Sequence, residues 1–141
     1  MDIALRRASD AGYAEKLTRT NMGSYYQSRN MTWDAARFSQ SWQEFDNFEV
    51  WCERRRVGVV RFSYSQRTTF LRDFQLTADF QGQGVGYECL VWIIKHAQSH
   101  QSENVVLRVF AENPAIRLYQ KFGFVQTAEV NGLVEMEFKL R

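Results

Sequence analysis

Residues 81–86 form a glycine loop, Gln81-Gly82-Gln83-Gly84-Val85-Gly86, between two apolar stretches. The run from Phe70 to Leu76 precedes the loop, and the segment from Tyr87 to Ala97 follows it, so we predict a strand, a turn and a helix. Glycines remove Cβ atoms and permit positive φ. Backbone N–H groups at the start of a helix lie at the positive end of its dipole. The stretch therefore predicts a phosphate-binding site.

The spacing of the glycines separates several kinds of phosphate site. A P-loop has a Lys-Ser or Lys-Thr pair after its last glycine, whereas Gly86 is followed by Tyr87-Glu88. This difference excludes the P-loop nucleoside triphosphatases. A dinucleotide fold has G-x-G-x-x-G near the start of a larger domain. Here the glycines alternate and the preceding strand lies deep in the chain, which argues against dinucleotide binding.

A second motif lies downstream, in residues 113–124, which read Asn-Pro-Ala-Ile-Arg-Leu-Tyr-Gln-Lys-Phe-Gly-Phe. The order Q-x-x-G-x-G in the glycine loop, followed by N-x-x-A-x-x-L-Y-x-x-x-G-F here, resembles the GCN5-related N-acetyltransferases (GNAT). The resemblance covers Leu71 to Phe124 and implies an acetyl-CoA-dependent enzyme. It also implies an α/β fold with a mixed, mostly antiparallel sheet of about seven strands, about four flanking helices and a splayed parallel pair of strands.

The resemblance also implies which groups hold acetyl-CoA. The pyrophosphate would rest on the loop amides, and main-chain groups near Phe74 and Leu76 would pair with the pantetheine arm. Asn113 would reach the cofactor as well as cap a helix, and a role as a cap alone is the alternative. The remaining residues implied for the cofactor are Gln81, Gly82, Gln83, Gly84, Val85, Gly86 and Tyr119.

Tyr119 matches the position of the family's usual general acid, the phenol that protonates the departing CoA thiolate. Phenol and thiol pKa values lie within about two units of each other, so this proton transfer is chemically reasonable. The acceptor ammonium must also lose a proton. We expect Asp73 to accept it through water, with Glu112 as the second candidate. An ion pair of Asp73 with Arg72 or Arg108 is the structural alternative.

The acceptor site is less sharply defined by the sequence. Some family members carry a catalytic Glu where this chain has Arg108. A guanidinium at Arg72 or Arg108 would suit a carboxylate on the acceptor, unless either arginine points to solvent or pairs with Asp73. Tyr25, Tyr26 and Trp33 form part of an aromatic-rich segment, which we interpret as a wall of the acceptor site, the sheet core or both.

The rest of the chain gives local predictions. We expect a strand from Ile3 to Arg7, then a helix capped by Ser9 or Asp10 that ends before the polar stretch at residues 23–30. Thr32 would cap a second helix that includes Trp33. Further predictions are a strand at residues 105–110 parallel to the strand before the loop, a helix at residues 114–122, and a hairpin at Asn131-Gly132.

Composition limits the class of protein. The 141 residues suit a single domain over residues 1–141, with 45% hydrophobic and 24% charged residues. We see no apolar run of membrane-spanning length and no signal-peptide pattern, so we expect a cytoplasmic protein without membrane contact. Cys52 and Cys89 lack the clustering of a disulfide scaffold or zinc site and are expected to be reduced.

Two further patterns carry little functional weight. The net charge is +2, and the basic run Arg54-Arg55-Arg56 falls at an expected turn, so nucleic acid is not an expected partner. His96 and His100 have the spacing of a metal pair on a helix, but no Glu follows His96 and no third ligand is apparent, so no metal is expected.

The sequence therefore predicts an N-acetyltransferase that joins acetyl-CoA and a primary amine acceptor by direct attack in a ternary complex. Neither cysteine is placed as a covalent relay. The final strand often mediates dimers in the resembled family, which implies a homodimer. The alternatives are a non-catalytic acyl-CoA sensor or interaction module with the same fold, and a nucleic-acid-binding module.

Overall fold

The computed structural model describes residues 2–140, which contain four α-helices, seven strands and one short 3₁₀ turn at Ala78–Phe80. The helices are α1 (Ala11–Ser28), α2 (Ala35–Glu44), α3 (Val85–Ser99) and α4 (Ala115–Phe122). The strands are β1 (Ile3–Arg7), β2 (Asp46–Cys52), β3 (Arg55–Ser65), β4 (Thr68–Leu76), β5 (Asn104–Phe110), β6 (Val125–Val130) and β7 (Leu133–Lys139).

The described strands form one mixed sheet in the order β1-β2-β3-β4-β5-β7-β6. It is mostly antiparallel, and β4 and β5 are the parallel pair because the helical crossover α3 joins them. Their register runs from Thr68 opposite Asn104 to Leu71 opposite Leu107, while β4 continues to Leu76. The predicted fold class is confirmed.

The chain divides into two compact units, and β3 and β4 contribute residues to both. The first unit comprises residues 2–61 and 73–83. In its core, Ala14 and Leu17 of α1 pack with Phe38 of α2 and Val59 of β3. The apolar face of α1 therefore anchors this helix.

The second unit comprises residues 62–72 and 84–140. Leu90 and Ile93 of α3 are fully buried, as are Val105 of β5 and Met136 of β7. In β5 the buried residues alternate with more exposed ones, as expected for a strand with one covered face. The hairpin prediction is confirmed, since Asn131 and Gly132 both have positive φ between antiparallel β6 and β7.

The prediction that the first helix ends before residue 23 is wrong. Asp10 caps α1 by accepting from the Tyr13 amide, and the helix continues through Gly23 to Ser28. A mid-helix glycine costs about 1 kcal/mol, which packing elsewhere along the helix readily offsets. Tyr25 and Tyr26 consequently lie on the last turns of α1 rather than in a loop.

The predicted start of the second helix is also wrong. Asp34, not Thr32, is the N-cap of α2, and its side chain accepts from the Arg37 amide at 2.9 Å. Trp33 therefore precedes the helix. Asp and Thr both serve as caps, so the sequence alone did not separate the two positions.

Several other predictions concern single residues. Cys52 and Cys89 are both buried, and neither belongs to a disulfide, as expected for reduced structural cysteines. Arg55 and Arg56 belong to β3 rather than to the turn, and they form ion pairs with Asp79 and Asp10 respectively. Among the described residues, no helix has both the length and the apolar character required to cross a membrane.

Candidate active site

The glycine loop has the backbone geometry expected of an anion site. Gly82 and Gly84 have φ of +72° and +84°, and Gly84 is the N-cap of the 15-residue helix α3. A Cβ on either glycine would meet no protein atom within 4 Å. Packing against protein therefore does not explain these glycines. Their positive φ and the open space beside them suit a ligand at the start of α3.

The two glutamines of the loop hold the turn that precedes it. The Gln81 side chain donates to the Leu76 carbonyl at 3.0 Å, and the Gln83 side chain donates to the Asp79 carbonyl at 2.6 Å. Asn21 of α1 also donates to the Leu76 carbonyl. Both glutamines thus support the loop from within the chain, and the Leu76 carbonyl already accepts two hydrogen bonds. Phe74 is half-buried in the same strand.

Gly58 is a supporting residue that the sequence reasoning missed. A Cβ on Gly58 in β3 would lie 2.4 Å from the Gln75 carbonyl oxygen and 2.8 Å from a Leu76 methyl group. Only glycine permits β4 to approach β3 so closely here. The available signal was a lone glycine within the apolar run Val57-Gly58-Val59.

Helix α4 presents the second motif. The Asn113 side chain accepts from the Ala115 amide at 2.9 Å, so it caps the first turn. Tyr119 is 7% exposed, and its ring lies edge-on to Phe124 with centroids 5.8 Å apart. Gly123, at φ +127°, ends the helix, and its amide and the Phe124 amide both donate to the Tyr119 carbonyl. The Gly-Phe end of the motif therefore fixes Tyr119.

Helices α3 and α4 pack against each other within the second unit. The Tyr87 ring, which directly follows the glycine loop, contacts the Phe122 ring edge-on with centroids 5.0 Å apart. Phe122 in turn packs on Phe138 of β7. The helix that begins at the glycine loop and the helix that carries Tyr119 therefore share one apolar contact.

Asp73 is held by three side chains of the first unit. Thr18 of α1 donates to Oδ2 at 3.0 Å, Gln75 donates to Oδ1 at 2.8 Å, and Arg61 Nη1 lies 3.7 Å from Oδ2. The expected ion-pair partners were Arg72 and Arg108, so the partner observed is a different arginine. The Asp73 side chain is 13% exposed, so two hydrogen bonds and one nearby guanidinium surround a mostly buried carboxylate.

Arg61 is the second residue that the sequence reasoning missed. It is 4% exposed, and its guanidinium lies within 5.5 Å of the ring centroids of Phe38, Trp42 and Phe45. It donates to Asn47 Oδ1 at 2.9 Å and to Ser41 Oγ at 2.6 Å. Burial lowers the pKa of Arg61, and the Asp73 charge opposes that effect. The sequence does contain a signal for this residue, since Arg61 occupies a position of β3 where the alternation predicts a buried apolar side chain.

Two of the three aromatic residues predicted for the acceptor wall contact each other in the first unit. The Tyr26 and Trp33 ring centroids are 5.9 Å apart, and Trp33 donates to Glu15 at 2.7 Å. Desolvation raises the pKa of the Tyr26 phenol, and the charge of Asp73 adds to that rise. Tyr25 is half-buried on the same helix. Trp33 also contacts Phe38, so the aromatic residues serve the core as well.

Arg72 and Arg108 come together on the second unit. The last parallel pair is Leu71 opposite Leu107, and each arginine immediately follows a member of that pair. Arg72 donates through Nε to Ser63 Oγ at 2.7 Å, and Arg108 Nε lies 3.8 Å from Glu135 Oε1. Burial lowers the pKa of Arg72, and the positive charge of Arg108 lowers it further.

Three further residues singled out from the sequence are Glu112, His96 and His100. Glu112 is exposed just beyond the end of β5. His96 Nε2 lies 2.7 Å from the Tyr64 hydroxyl, and the His100 ring stacks on Tyr64 with centroids 4.1 Å apart. Aromatic contacts within the second unit thus account for the spacing of the two histidines.

Comparison with known proteins identifies a family over most of the chain. A family model described as "Acetyltransferase (GNAT) family" matches residues 14–124. A curated spermine/spermidine N(1)-acetyltransferase of Bacillus subtilis (strain 168) is 36% identical over 64 residues. That match covers 44% of this chain and only 42% of the relative's length.

Solved structures resemble the whole chain at low sequence identity. Ard1 from Thermoplasma volcanium has a TM-score of 0.79 and 20% identity, with 100% of this chain and 99% of that chain covered. PaiA N-acetyltransferase from Thermoplasma acidophilum, solved in complex with coenzyme A, has a TM-score of 0.77 and 16% identity, with 99% of each chain covered. At these identities the likeness shows the fold.

Proposed function

The chain belongs to the GNAT acetyltransferase family, and on that premise we propose that it transfers the acetyl group of acetyl-CoA to a primary amine. One observation carries the proposal: the helix that starts at the open glycine loop packs directly on the helix that carries Tyr119. In such a transfer, an anion site would hold the CoA pyrophosphate and a phenol would protonate the departing thiolate. Candidates for both lie on neighbouring helices. Solved relatives with CoA or acetyl-CoA bound support the choice of cosubstrate.

The loop amides would hold the CoA pyrophosphate. The residues assigned to this task are Gly82, Gln83, Gly84, Val85 and Gly86, with Gln81 supporting the turn. Main-chain groups near Phe74 and Leu76 would pair with the pantetheine amides. Since the Leu76 carbonyl already accepts from Gln81 and Asn21, we assign the pantetheine contact to the other main-chain groups of this stretch.

Replacing Gly84 with alanine should weaken acetyl-CoA binding at least about tenfold, because the methyl group would enter the open space assigned to the pyrophosphate. Positive φ also strains alanine by about 1 kcal/mol, which should lower Tm by a few degrees. Isothermal titration with acetyl-CoA measures the first effect. Gly84→Asn separates steric blocking from backbone strain. Asparagine tolerates positive φ, but its side chain still fills the space assigned to the pyrophosphate.

Gly23→Ala is the matched control for that experiment. A Cβ at Gly23 also meets no atom within 4 Å, but this glycine lies inside α1 without positive φ. We expect an unchanged acetyl-CoA Kd and an unchanged or raised Tm. Equal affinity in Gly84→Ala, Gly84→Asn and Gly23→Ala would refute the assignment of the loop.

The chemistry would proceed in one complex of protein, acetyl-CoA and amine. The amine nitrogen attacks the thioester carbonyl carbon, the carbon–sulfur bond breaks, and Tyr119 gives its proton to the leaving thiolate. The proton lost from the ammonium group passes through water to Asp73. Buried Cys52 and Cys89 are poorly placed to form an acetyl-enzyme. Initial-velocity lines should therefore intersect, and parallel lines would exclude the ternary complex.

Asp73→Asn should reduce kcat by about 10- to 100-fold, because the amide keeps the size of the carboxylate but cannot accept the proton. A thiol-release assay at saturating amine measures the loss, and a thermal scan checks the fold. Glu103→Gln, at an exposed ion pair with Arg67, is the control and should keep full activity. Undiminished kcat in Asp73→Asn would remove Asp73 as the base and leave water or Glu112.

A non-catalytic acyl-CoA sensor is the second candidate function. It is favoured by the state of Asp73, which already contacts Thr18, Gln75 and Arg61, together with Arg108 at the position where some family members have a catalytic Glu. A sensor would bind acetyl-CoA and leave it intact in the presence of every amine tried. Amine-dependent thiol release distinguishes the two functions.

The acceptor, the assembly and the location of the protein are also proposals. Spermine or spermidine is the acceptor suggested by the name of the Bacillus subtilis relative, over the part of the chain that it matches. We further propose that residues 1–141 act as one catalytic domain, cytoplasmic and homodimeric. Equilibrium sedimentation tests the dimer, and cell fractionation tests the location.

A further inference from the structure

The glycine loop keeps its shape with little help from packing. Residues 81–84 are all exposed, and a Cβ on Gly82 or Gly84 would meet no atom within 4 Å. Glycine loses more conformational freedom on ordering than any other residue, so an ordered loop of this composition needs compensating contacts. Hydrogen bonds supply such contacts here, because the side chains of Gln81 and Gln83 both donate to carbonyls of the segment just before the loop.

Asp79 is the residue at which several of these hydrogen bonds meet. Its carbonyl accepts from the Gln83 side chain at 2.6 Å, which ties the loop to the 3₁₀ turn. Its carboxylate accepts from the Thr77 hydroxyl at 2.9 Å and from Arg55 Nη2 at 2.8 Å. Asp79 thus joins the glycine loop to the residue that follows β4 and to the start of β3.

Strand β3 anchors this turn at two points. The Thr77 amide donates to the Val57 carbonyl at 2.8 Å, and the Arg55 guanidinium lies over the Phe80 ring, 4.8 Å from its centroid. Arg55 and Asp79 are both exposed, so their ion pair by itself adds little to the stability of the fold. Its consequence is local, because it fixes the turn before the loop against β3.

The sign of the Asp79 charge makes its position informative. The hydrogen bond from Arg55, and after it the one from Thr77, lowers the pKa of Asp79, so the carboxylate is ionised near neutral pH. A negative charge four residues before Gln83 opposes the binding of a phosphate at the loop. The carboxylate therefore does not attract such a ligand, whereas its contacts organise the loop and Arg55 offsets its charge.

On the premise that the loop holds the pyrophosphate of acetyl-CoA, we propose that Asp79 is a positioning residue for this site and is held in place by Arg55. Its contacts preorganise the loop, so less conformational freedom is lost when the cosubstrate binds. Without them, only a fraction of the protein has a competent loop, and the apparent Kd rises by the inverse of that fraction. The chemical step, assigned to Tyr119 and Asp73, is not affected.

Asp79→Ala tests the inference, because positioning and simple electrostatics predict opposite results. We expect the acetyl-CoA Kd, measured by isothermal titration, to rise by about three- to tenfold, with an unchanged kcat at saturating acetyl-CoA. Loss of a negative charge near a phosphate should instead lower the Kd. An unchanged or lowered Kd would overturn the inference.

A donor without the pyrophosphate separates positioning from general damage to the fold. Acetyl-pantetheine carries the thioester but no phosphate, so its kcat/KM should be the same in Asp79→Ala and in the native protein. Equal losses with both donors would contradict the inference. Glu103→Gln, which neutralises a similarly exposed ion pair with Arg67, is the control and should keep the native acetyl-CoA Kd.

Arg55→Met tests how Asp79 is held. In the native background this substitution should raise the acetyl-CoA Kd by about two- to fivefold. In the Asp79→Ala background it should have a clearly smaller effect, since its partner is already gone. Additive effects of the two substitutions would show that Arg55 acts independently of Asp79, and they would contradict the proposed arrangement.

The two levels of the proposal fail separately. If the native protein does not bind acetyl-CoA, or if Gly84→Ala binds it normally, the assignment of the loop fails and the inference falls with it. If Gly84→Ala weakens binding and Asp79→Ala does not, the loop holds the pyrophosphate without help from Asp79, and only the inference is wrong.

Discussion

Replacing Tyr119 with phenylalanine is expected to lower kcat by about 10²- to 10⁴-fold, the usual contribution of a general acid. The thiolate of CoA would then leave without a proton donor at the sulfur. Because phenylalanine keeps the ring that packs on Phe124, the acetyl-CoA Kd should change little. Steady-state thiol release gives kcat, and isothermal titration gives Kd.

Tyr64→Phe is the matched control for the Tyr119 variant. Tyr64 belongs to the same unit, and its hydroxyl and ring contact His96 and His100. It should keep its kcat. A Tyr119→Phe protein with normal kcat, a normal Kd and a normal Tm would show that another group, or water, protonates the thiolate.

Replacing Arg61 with methionine is expected to destabilise the protein by about 3 kcal/mol, because it leaves the Asp73 charge without its cation in a mostly buried site. The substitution also removes a guanidinium packed among three aromatic rings and hydrogen-bonded to Ser41 and Asn47. For a chain of this size, Tm should fall by about 10 °C. Thermal unfolding followed by circular dichroism measures the change.

Two comparisons make the Arg61 result specific. Arg67→Met, at an exposed ion pair with Glu103, should lower Tm by about 2 °C or less. In an Asp73→Asn background, the cost of Arg61→Met should shrink by more than about 1 kcal/mol, since the uncompensated charge is gone. Equal Tm losses at Arg61 and Arg67, or strict additivity with Asp73→Asn, would contradict the role assigned to the buried pair.

The sequence predicts those features of the fold that depend on neighbouring residues. Alternating glycines between apolar runs predict the turn before α3, and Asn131-Gly132 predicts the final hairpin, since both depend on local φ preferences. The β4–β5 pairing follows from the helical crossover between them. These signals are short-range or topological, so they do not require knowledge of distant partners.

The boundaries of α1 and α2 depend on packing instead. Gly23 and the polar residues after it favour a break, yet α1 continues to Ser28, and in this last part of the helix the Tyr26 ring contacts the Trp33 ring. Thr32 and Asp34 are both acceptable caps, and only the path of the chain decides between them. Tyr25 and Tyr26 therefore lie in a helix rather than in a loop, and Trp33 lies before the second helix rather than in it.

No sequence pattern predicts which side chains contact Asp73. Its neighbours Thr18 and Arg61 are 55 and 12 positions away in the chain, and no motif links them. Arg72 and Asn113 behave differently, because strand register and helix capping are local rules that place them. The sequence therefore does not predict which charged and polar side chains from distant parts of the chain contact each other in the site.

The most direct measurement is the release of free CoA thiol from acetyl-CoA, with and without a panel of primary amines, amino acids and peptides. We predict release that requires an amine, saturates with acetyl-CoA and falls at least about 10²-fold in Tyr119→Phe with little change in acetyl-CoA affinity. Tight acetyl-CoA binding without thiol release on any acceptor would contradict acetyl transfer and support a sensor. Absence of acetyl-CoA binding would contradict the assignment of the glycine loop.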